Sequence, residues 1–167
     1  MTKRKYVSGE DHYLNGKRYI LTVVDSNKPS VVKQGTRKLV MNVRKSSSIG
    51  NKEKLMYSFY KEELERKLDK FIPELEKMIG VNSNKYYIRK MKNKWGSCNH
   101  EKKFLVFNIE LAKKKDSEIK YVIIHELVHL IEKKHNDKFK ELVETYCPKW
   151  ELYHKSLNRI LNDNKIC

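Results

Sequence analysis

One stretch of the chain decides the fold, and it reads Tyr121-Val122-Ile123-Ile124-His125-Glu126-Leu127-Val128-His129-Leu130. Apolar residues stand at almost every position around it, which is typical of a buried helix. His125 and His129 are four residues apart, so a helix places both imidazoles on the same face, one turn apart. Burying imidazole and carboxylate groups is costly unless they are satisfied, and coordination of a metal ion satisfies them. The stretch therefore predicts a buried helix with a metal site.

The predicted ion is zinc, Zn²⁺, because a catalytic zinc site uses three protein ligands and leaves the fourth tetrahedral position to water. We expect His125 and His129 to be two of these ligands. His135 is the expected third, since it stands just before Asn136, a good start for a new helix, and a turn there can bring its ring back. Carboxylates also serve as third ligands, and the alternatives that follow the motif are Glu132, Glu141 and Glu144.

Glu126 is the expected catalytic base of this His-Glu-x-x-His (HExxH) motif. Zinc lowers the pKa of its bound water toward neutrality, and the carboxylate accepts the proton as that water attacks a polarised carbonyl. The pattern therefore indicates a hydrolase of acyl bonds. Tyr121 lies one turn before the first histidine, and we expect it to pack in the core rather than to stabilise an oxyanion. The other three histidines are expected at the surface: His12, His100 and His154.

The N-terminal third alternates apolar and polar residues, as strands do. Residues 11–14 and 17–24 flank Asn15-Gly16, a strong signal for a β-hairpin. Residues 36–44 predict a third strand, after a connection that contains Pro29 and Gly35.

Helical periodicity begins near residue 51 and predicts a helix over 51–80, which Pro73 should kink or divide. Residues 86–91 and 104–108 then predict two strands on either side of Trp95-Gly96-Ser97-Cys98. We expect Asp116 or Ser117 to cap the motif helix. Two helices should follow it, over 137–146 and 149–161.

These elements predict an α+β protein. Its 167 residues fit one domain, which we divide into a strand-rich region over 1–49, a long helix over 50–81 and a catalytic core over 82–162.

The composition bears on partners and compartment. A formal net charge of +16 admits a nucleic-acid partner such as DNA, but lysines spread along the whole chain favour a solvated surface. The cysteines show no paired spacing and are expected to be reduced thiols of a cytoplasmic protein: Cys98, Cys147 and Cys167. No apolar stretch is long enough to cross a bilayer, so we expect no membrane association.

Several motifs occur in order over about residues 82–160. They are Ile-Arg-Lys-Met-Lys at 88–92, Lys-Trp-Gly-Ser-Cys at 94–98, Phe-Asn at 107–108, the stretch at 121–130, and His135 with Phe139. Together they resemble the YgjP-like metallopeptidases, which are related to the SprT and WLM zinc peptidases. One departure is Lys94, where the family usually has arginine, and a lysine cannot form the bidentate fork of an arginine.

The resemblance implies a minimal zincin-like core, in which a small, mostly antiparallel sheet packs on the HExxH helix. It assigns the zinc-ligand role to His125, His129 and His135 and the role of base to Glu126. The implied activity is zinc-dependent hydrolysis of peptide bonds in a protein or peptide substrate, with DNA-associated proteins among the candidates.

Two other functions stay open at this point. One is a metal-dependent hydrolase of a nucleotide or another small molecule. The other is a basic nucleic-acid-binding module in which zinc is structural. Glu126 speaks against the second, because a structural site fills its fourth position with protein and has no use for a base.

Overall fold

The computed structural model describes residues 3–159. Over that range the chain is a mixed α+β fold, as predicted, and its contacts divide it into two compact units. The N-terminal unit contains residues up to 64 together with 112–114. The C-terminal unit contains residues 65–111 and those from 115 onward.

Four strands form the sheet of the N-terminal unit: β1 (Asp11–Leu14), β2 (Lys17–Asp25), β3 (Ser30–Gln34) and β4 (Lys38–Val43). The predicted hairpin is confirmed, with β1 antiparallel to β2. Asn15 (φ 51°) and Gly16 (φ 76°) take the left-handed conformation that a two-residue turn between twisted strands requires.

The order in this sheet is β1-β2-β4-β3. The predicted third strand is β4, which lies parallel to β2. Strand β3 was not predicted. It is only five residues long, its apolar and polar residues do not alternate cleanly, and it lies between the chain breakers Pro29 and Gly35. It pairs antiparallel with β4 at the edge of the sheet.

Alternate residues of this sheet point into the core of the unit, among them Tyr19, Leu21, Leu39 and Met41. His12 lies on this inner side and is buried, so its predicted place at the surface is wrong. The alternation of β1 turns its ring inward, where Nε2 lies 2.6 Å from Oε1 of Glu10.

Helix α1 (Ile49–Ile79) is continuous for 31 residues. Pro73 was expected to kink or divide this helix. It lies inside the helix and does not divide it. Proline removes one helical hydrogen bond, and the buried apolar stripe of the helix offsets that loss: Leu64, Leu68, Phe71, Ile72, Leu75 and Ile79.

The C-terminal unit contains a three-stranded sheet of order β5-β7-β6, formed by β5 (Lys85–Arg89), β6 (Gly96–Asn99) and β7 (Phe104–Asn108). It is evenly mixed rather than mostly antiparallel, because β6 turns back directly onto β7 while β5 runs parallel to it. Strand β6 was not predicted, since its sequence, Gly-Ser-Cys-Asn, has little β propensity.

After a short 3₁₀ helix (Ile109–Lys113), three helices complete the described chain: α2 (Asp116–Val128), α3 (Asp137–Tyr146) and α4 (Trp150–Asn158). Helix α2 is buried on nearly every side, as predicted. Its cap is neither predicted residue. It is Lys115, whose N–H donates to the Glu118 carboxylate at 3.3 Å.

Helix α3 has its predicted bounds, and Asn136 caps it. The predicted end of the last helix, residue 161, lies outside the described residues, as does Cys167. Among the helices of residues 3–159, none has the length and apolar character to span a membrane.

Candidate active site

Three histidine side chains meet at the C-terminal end of α2. His125 belongs to the helix and His129 is its C-cap. His135 lies between α2 and α3, and its Nε2 is 3.0 Å from Nε2 of His129 and 3.2 Å from Nε2 of His125. Ligands at zinc–nitrogen distances of about 2.0–2.1 Å in tetrahedral geometry lie about 3.3 Å apart. The donor set therefore fits a tetrahedral metal ion.

The start of α3 determines where His135 lies. The side chain of Asn136 accepts a hydrogen bond from the N–H of Phe139 at 3.0 Å, which caps the helix just after the histidine. The buried ring of Phe139 then contacts all three imidazoles, with ring centroids 4.9 Å from His125, 4.5 Å from His129 and 4.9 Å from His135. Phe139 thus packs the three histidines together, a role that the sequence motif did not reveal.

Hydrogen bonding directs one ring toward the metal position. Nδ1 of His129 lies 3.1 Å from the carbonyl oxygen of Glu132. A carbonyl can only accept, so Nδ1 carries the hydrogen and Nε2 presents its lone pair to the cluster. His100 orders the same turn, because its Nδ1 donates to the carbonyl of His129 at 2.7 Å.

Burial keeps the three rings in the neutral form that binds metals. It lowers the pKa of His125 far below the ordinary value, and positive charge on the neighbouring histidines would lower it further. Burial likewise lowers the pKa of His129 and of His135. Neutral imidazole is the ligand form, so the site is prepared for a cation near neutral pH.

Glu126 is completely buried on α2, and β6 lies against it. Gly96 makes that approach possible. A Cβ at this position would lie 3.1 Å from Cγ of Glu126, 3.2 Å from the Val106 carbonyl oxygen and 3.2 Å from Cγ1 of Val122. The glycine of the Trp-Gly-Ser-Cys motif is therefore the residue that leaves room for the carboxylate, a role that sequence reasoning did not assign.

Asn108 holds the segment that leads into β6. Its buried side-chain amide donates to the carbonyls of Met91 (2.9 Å) and Lys94 (2.8 Å), and its N–H donates to the carbonyl of Trp95 (3.0 Å). Trp95 is buried. These bonds fix Gly96 beside the carboxylate.

Cys98 lies on the same strand and is half-buried. Burial, followed by the negative charge of Glu126, raises the pKa of its thiol to about 12. The thiol stays protonated at neutral pH, which makes it a poor nucleophile and a poor metal ligand.

Tyr121 is buried in the core, as predicted, and its ring meets that of His125 edge to face at 6.2 Å. Its hydroxyl lies 3.3 Å from Nδ1 of His154, and Nε2 of that ring lies 2.9 Å from the side-chain nitrogen of Asn158. His154 and His100 are therefore partly buried neighbours of the site, and their predicted place at the surface is wrong. No periodic signal marked either residue, because both reach the site only through tertiary packing.

The structure brings His125, His129 and His135 together, with Glu126 on the same helix. Within residues 3–159 these histidines are the one group of His, Cys, Asp and Glu side chains with metal-binding geometry, and their ligand atoms lie within 4.8 Å of one another. The alternative third ligands lie outside that group: Glu132, Glu141 and Glu144.

Solved structures that resemble part of this chain include two metallopeptidase zymogens. That of Pyrococcus abyssi abylysin is 19% identical, with a TM-score of 0.53 over 58% of this chain and 97% of that chain. That of Methanocaldococcus jannaschii jannalysin is 24% identical, with a TM-score of 0.47 over 56% and 96%. No curated protein matches the chain.

The YgjP-like metallopeptidase domain matches residues 1–160, which is nearly the whole sequence and includes every element described above. The match agrees with the mixed α+β fold and with the histidine cluster. A peptidase of this kind hydrolyses proteins or peptides and needs a divalent metal. By this match the chain belongs to the YgjP-like metallopeptidase family.

Proposed function

We propose that the metal of this metallopeptidase is zinc, held by His125, His129 and His135, and that Glu126 is the catalytic base. The observation that carries the proposal is the convergence of three Nε2 atoms at 3.0 and 3.2 Å. Three imidazole nitrogens suit zinc, whereas magnesium, calcium and manganese prefer oxygen ligands. When bound, zinc polarises the scissile carbonyl and makes water a nucleophile near neutral pH.

Glu126 supplies the proton transfer. Its carboxylate takes the proton from the attacking water and delivers it to the amine that leaves as the peptide bond breaks. Burial on α2 beside Gly96 restricts the motion of the Glu126 side chain. The carboxylate is therefore already oriented before the reaction, and no conformational entropy is lost in positioning it. The substrates are proteins or peptides, and neither alternative function gains support from the family match.

Metal analysis tests the ligand assignment. We expect about one zinc per chain in the wild type and little in His125→Ala, His129→Ala or His135→Ala. His12→Gln is the matched control, because this histidine lies outside the cluster, and it should keep its zinc. Full zinc in any of the three cluster variants would show that the ligands are misassigned.

Activity tests the base. Glu126→Gln keeps the size of the side chain but cannot take up a proton at neutral pH, so peptide hydrolysis should fall by about 10²–10⁴ while zinc is retained. Glu132→Gln is the matched control, since only its backbone carbonyl contacts a ligand. Wild-type turnover in Glu126→Gln would refute the proposed base, and loss of zinc from Glu132→Gln would make that residue a ligand.

The identity of the metal has its own test. Metal-free protein should regain peptidase activity with stoichiometric zinc, and magnesium or calcium should not restore it. The same preparation assayed on nucleotides separates a peptidase from a small-molecule hydrolase. Turnover of nucleotides without turnover of peptides would contradict the proposed substrate class.

A further inference from the structure

The parallel pairing of β2 and β4 collects positive charge at one end of the N-terminal sheet. Because the strands run in the same direction, both begin at this end, with Ile20 opposite Lys38. Lys17 and Arg18 start β2, and Arg37 directly precedes β4. Strand β3 is antiparallel to β4 and finishes here, which adds Lys33, whose Nζ lies 5.8 Å from the centroid of the buried Tyr19 ring on the core side of the sheet. We call Lys17, Arg18, Lys33, Arg37 and Lys38 the basic end of the sheet.

The basic end is open to solvent and weakly neutralised. An open cleft of about 680 Å³ is lined by Lys17, Arg18, Ile20, Thr36 and Arg37, with no acidic residue among them. Asp11 on β1 forms an exposed ion pair with Arg18 at 2.9 Å. Within residues 3–159, no salt bridge involves the other members of the basic end.

An exposed apolar surface continues from the basic end across the outer face of the sheet. Tyr13 lies directly opposite Arg18 and is 46% exposed. Ile20 is 37% exposed and Val32 is 50% exposed, on the face opposite to the core. An exposed aromatic ring beside a row of cations can stack a base while the cations bind phosphates, and neighbouring aliphatic side chains can pack against further bases.

We infer that this surface binds single-stranded nucleic acid. The planar guanidinium groups of Arg18 and Arg37 can contact phosphate oxygens in pairs, and the lysines add charge along the backbone. Tyr13 and Ile20 offer the unpaired bases a stacking surface, which a duplex would not use because its bases are already stacked. An acidic peptide would satisfy the cations but would leave the apolar face uncovered. The nucleic-acid partner admitted by the net charge thus has a defined surface.

The test uses the 167-residue chain and a fluorescein-labelled single-stranded oligodeoxynucleotide of mixed sequence, with anisotropy measured at several salt concentrations. The variant Lys17→Gln/Arg37→Gln/Lys38→Gln removes three charges from the basic end. The control Lys28→Gln/Arg44→Gln/Lys45→Gln removes the same residue types from exposed positions at the opposite end of the sheet.

Loss of three phosphate contacts should reduce the slope of log affinity against log salt by about 2. Affinity at about 0.1 M salt should fall on the order of 10²-fold, with only a small change in the control. Equal losses in both variants would refute a localised site and indicate general attraction to a positive protein. Absence of binding at low salt would refute the inference outright.

Two further measurements examine the kind of ligand. Tyr13→Ala should weaken binding by roughly 5- to 100-fold with an unchanged salt slope, because stacking involves no counterion release. Unchanged affinity in Tyr13→Ala would refute the stacking surface. Binding of a duplex, or of a poly-glutamate peptide, as tightly as the single strand would overturn the assignment to single-stranded nucleic acid.

Discussion

Replacing Gly96 with alanine examines how the fold holds Glu126, the proposed catalytic base. The added Cβ would lie 3.1 Å from Cγ of Glu126 and 3.2 Å from both the Val106 carbonyl oxygen and Cγ1 of Val122. Carbon atoms pack at about 3.5–4.0 Å, so Glu126 or β6 must move by roughly 0.4–0.9 Å. Overpacking of this kind costs about 1–3 kcal/mol of the free energy of unfolding, or roughly 2–12 °C in Tm for a domain of this size.

Catalysis should respond more strongly than stability. A misplacement of about 1 Å can cost 10²-fold in rate, so we expect Gly96→Ala to lower kcat for peptide hydrolysis roughly 10- to 100-fold. Zinc content should stay at the wild-type level, since none of the three atoms nearest to the new methyl group belongs to a proposed ligand.

The matched control is Gly50→Ala. Its Cβ would meet only Ser48 Oγ at 3.8 Å, an ordinary contact near the start of α1. Thermal unfolding, metal analysis and peptide hydrolysis are measured on both variants and the wild type. Wild-type kcat and Tm in Gly96→Ala would refute the reasoning, because β6 would then have room for a side chain beside Glu126.

Three other predictions follow from the same structure. Phe139→Leu should weaken zinc binding about 10- to 100-fold in competition with a chelator, since this ring supports all three ligands, and unchanged affinity would contradict that role. Burial lowers the pKa of His12 below its ordinary 6.5, so its contribution to stability is complete above that pH and is lost as the pH falls below it. Denaturant unfolding from pH 7.5 to 5 should show this decline. His12→Gln should reduce the decline without abolishing it, because burial also lowers the pKa of His125, His129, His135 and His154. The single-domain prediction requires one cooperative transition in thermal unfolding, and two separated transitions would contradict it.

The sequence alone was sufficient for the motif helix and for the three histidines that meet at its C-terminal end. Spacing of four residues puts His125 and His129 on one helical face whatever surrounds them, and the apolar residues between them require burial. The hairpin at Asn15-Gly16 could also be predicted locally, because these two residues readily adopt the left-handed backbone conformation that the turn requires. Asn136 likewise marked the start of α3, and the turn before it brings His135 back.

Tertiary structure decided what depends on partners distant along the chain. Strand β3 is short and irregular in pattern, and β6 has little β propensity; both form because β4 and β7 offer them a hydrogen-bonding edge. Glycine is needed at position 96 because a Cβ there would crowd the side chain of Glu126, thirty residues later. A local sequence pattern contains no information about that contact. The basic end of the first sheet is a product of parallel pairing, which brings together charges that the sequence shows only as scattered lysines and arginines. Local rules describe what each segment can form, but long-range packing determines which side chains meet.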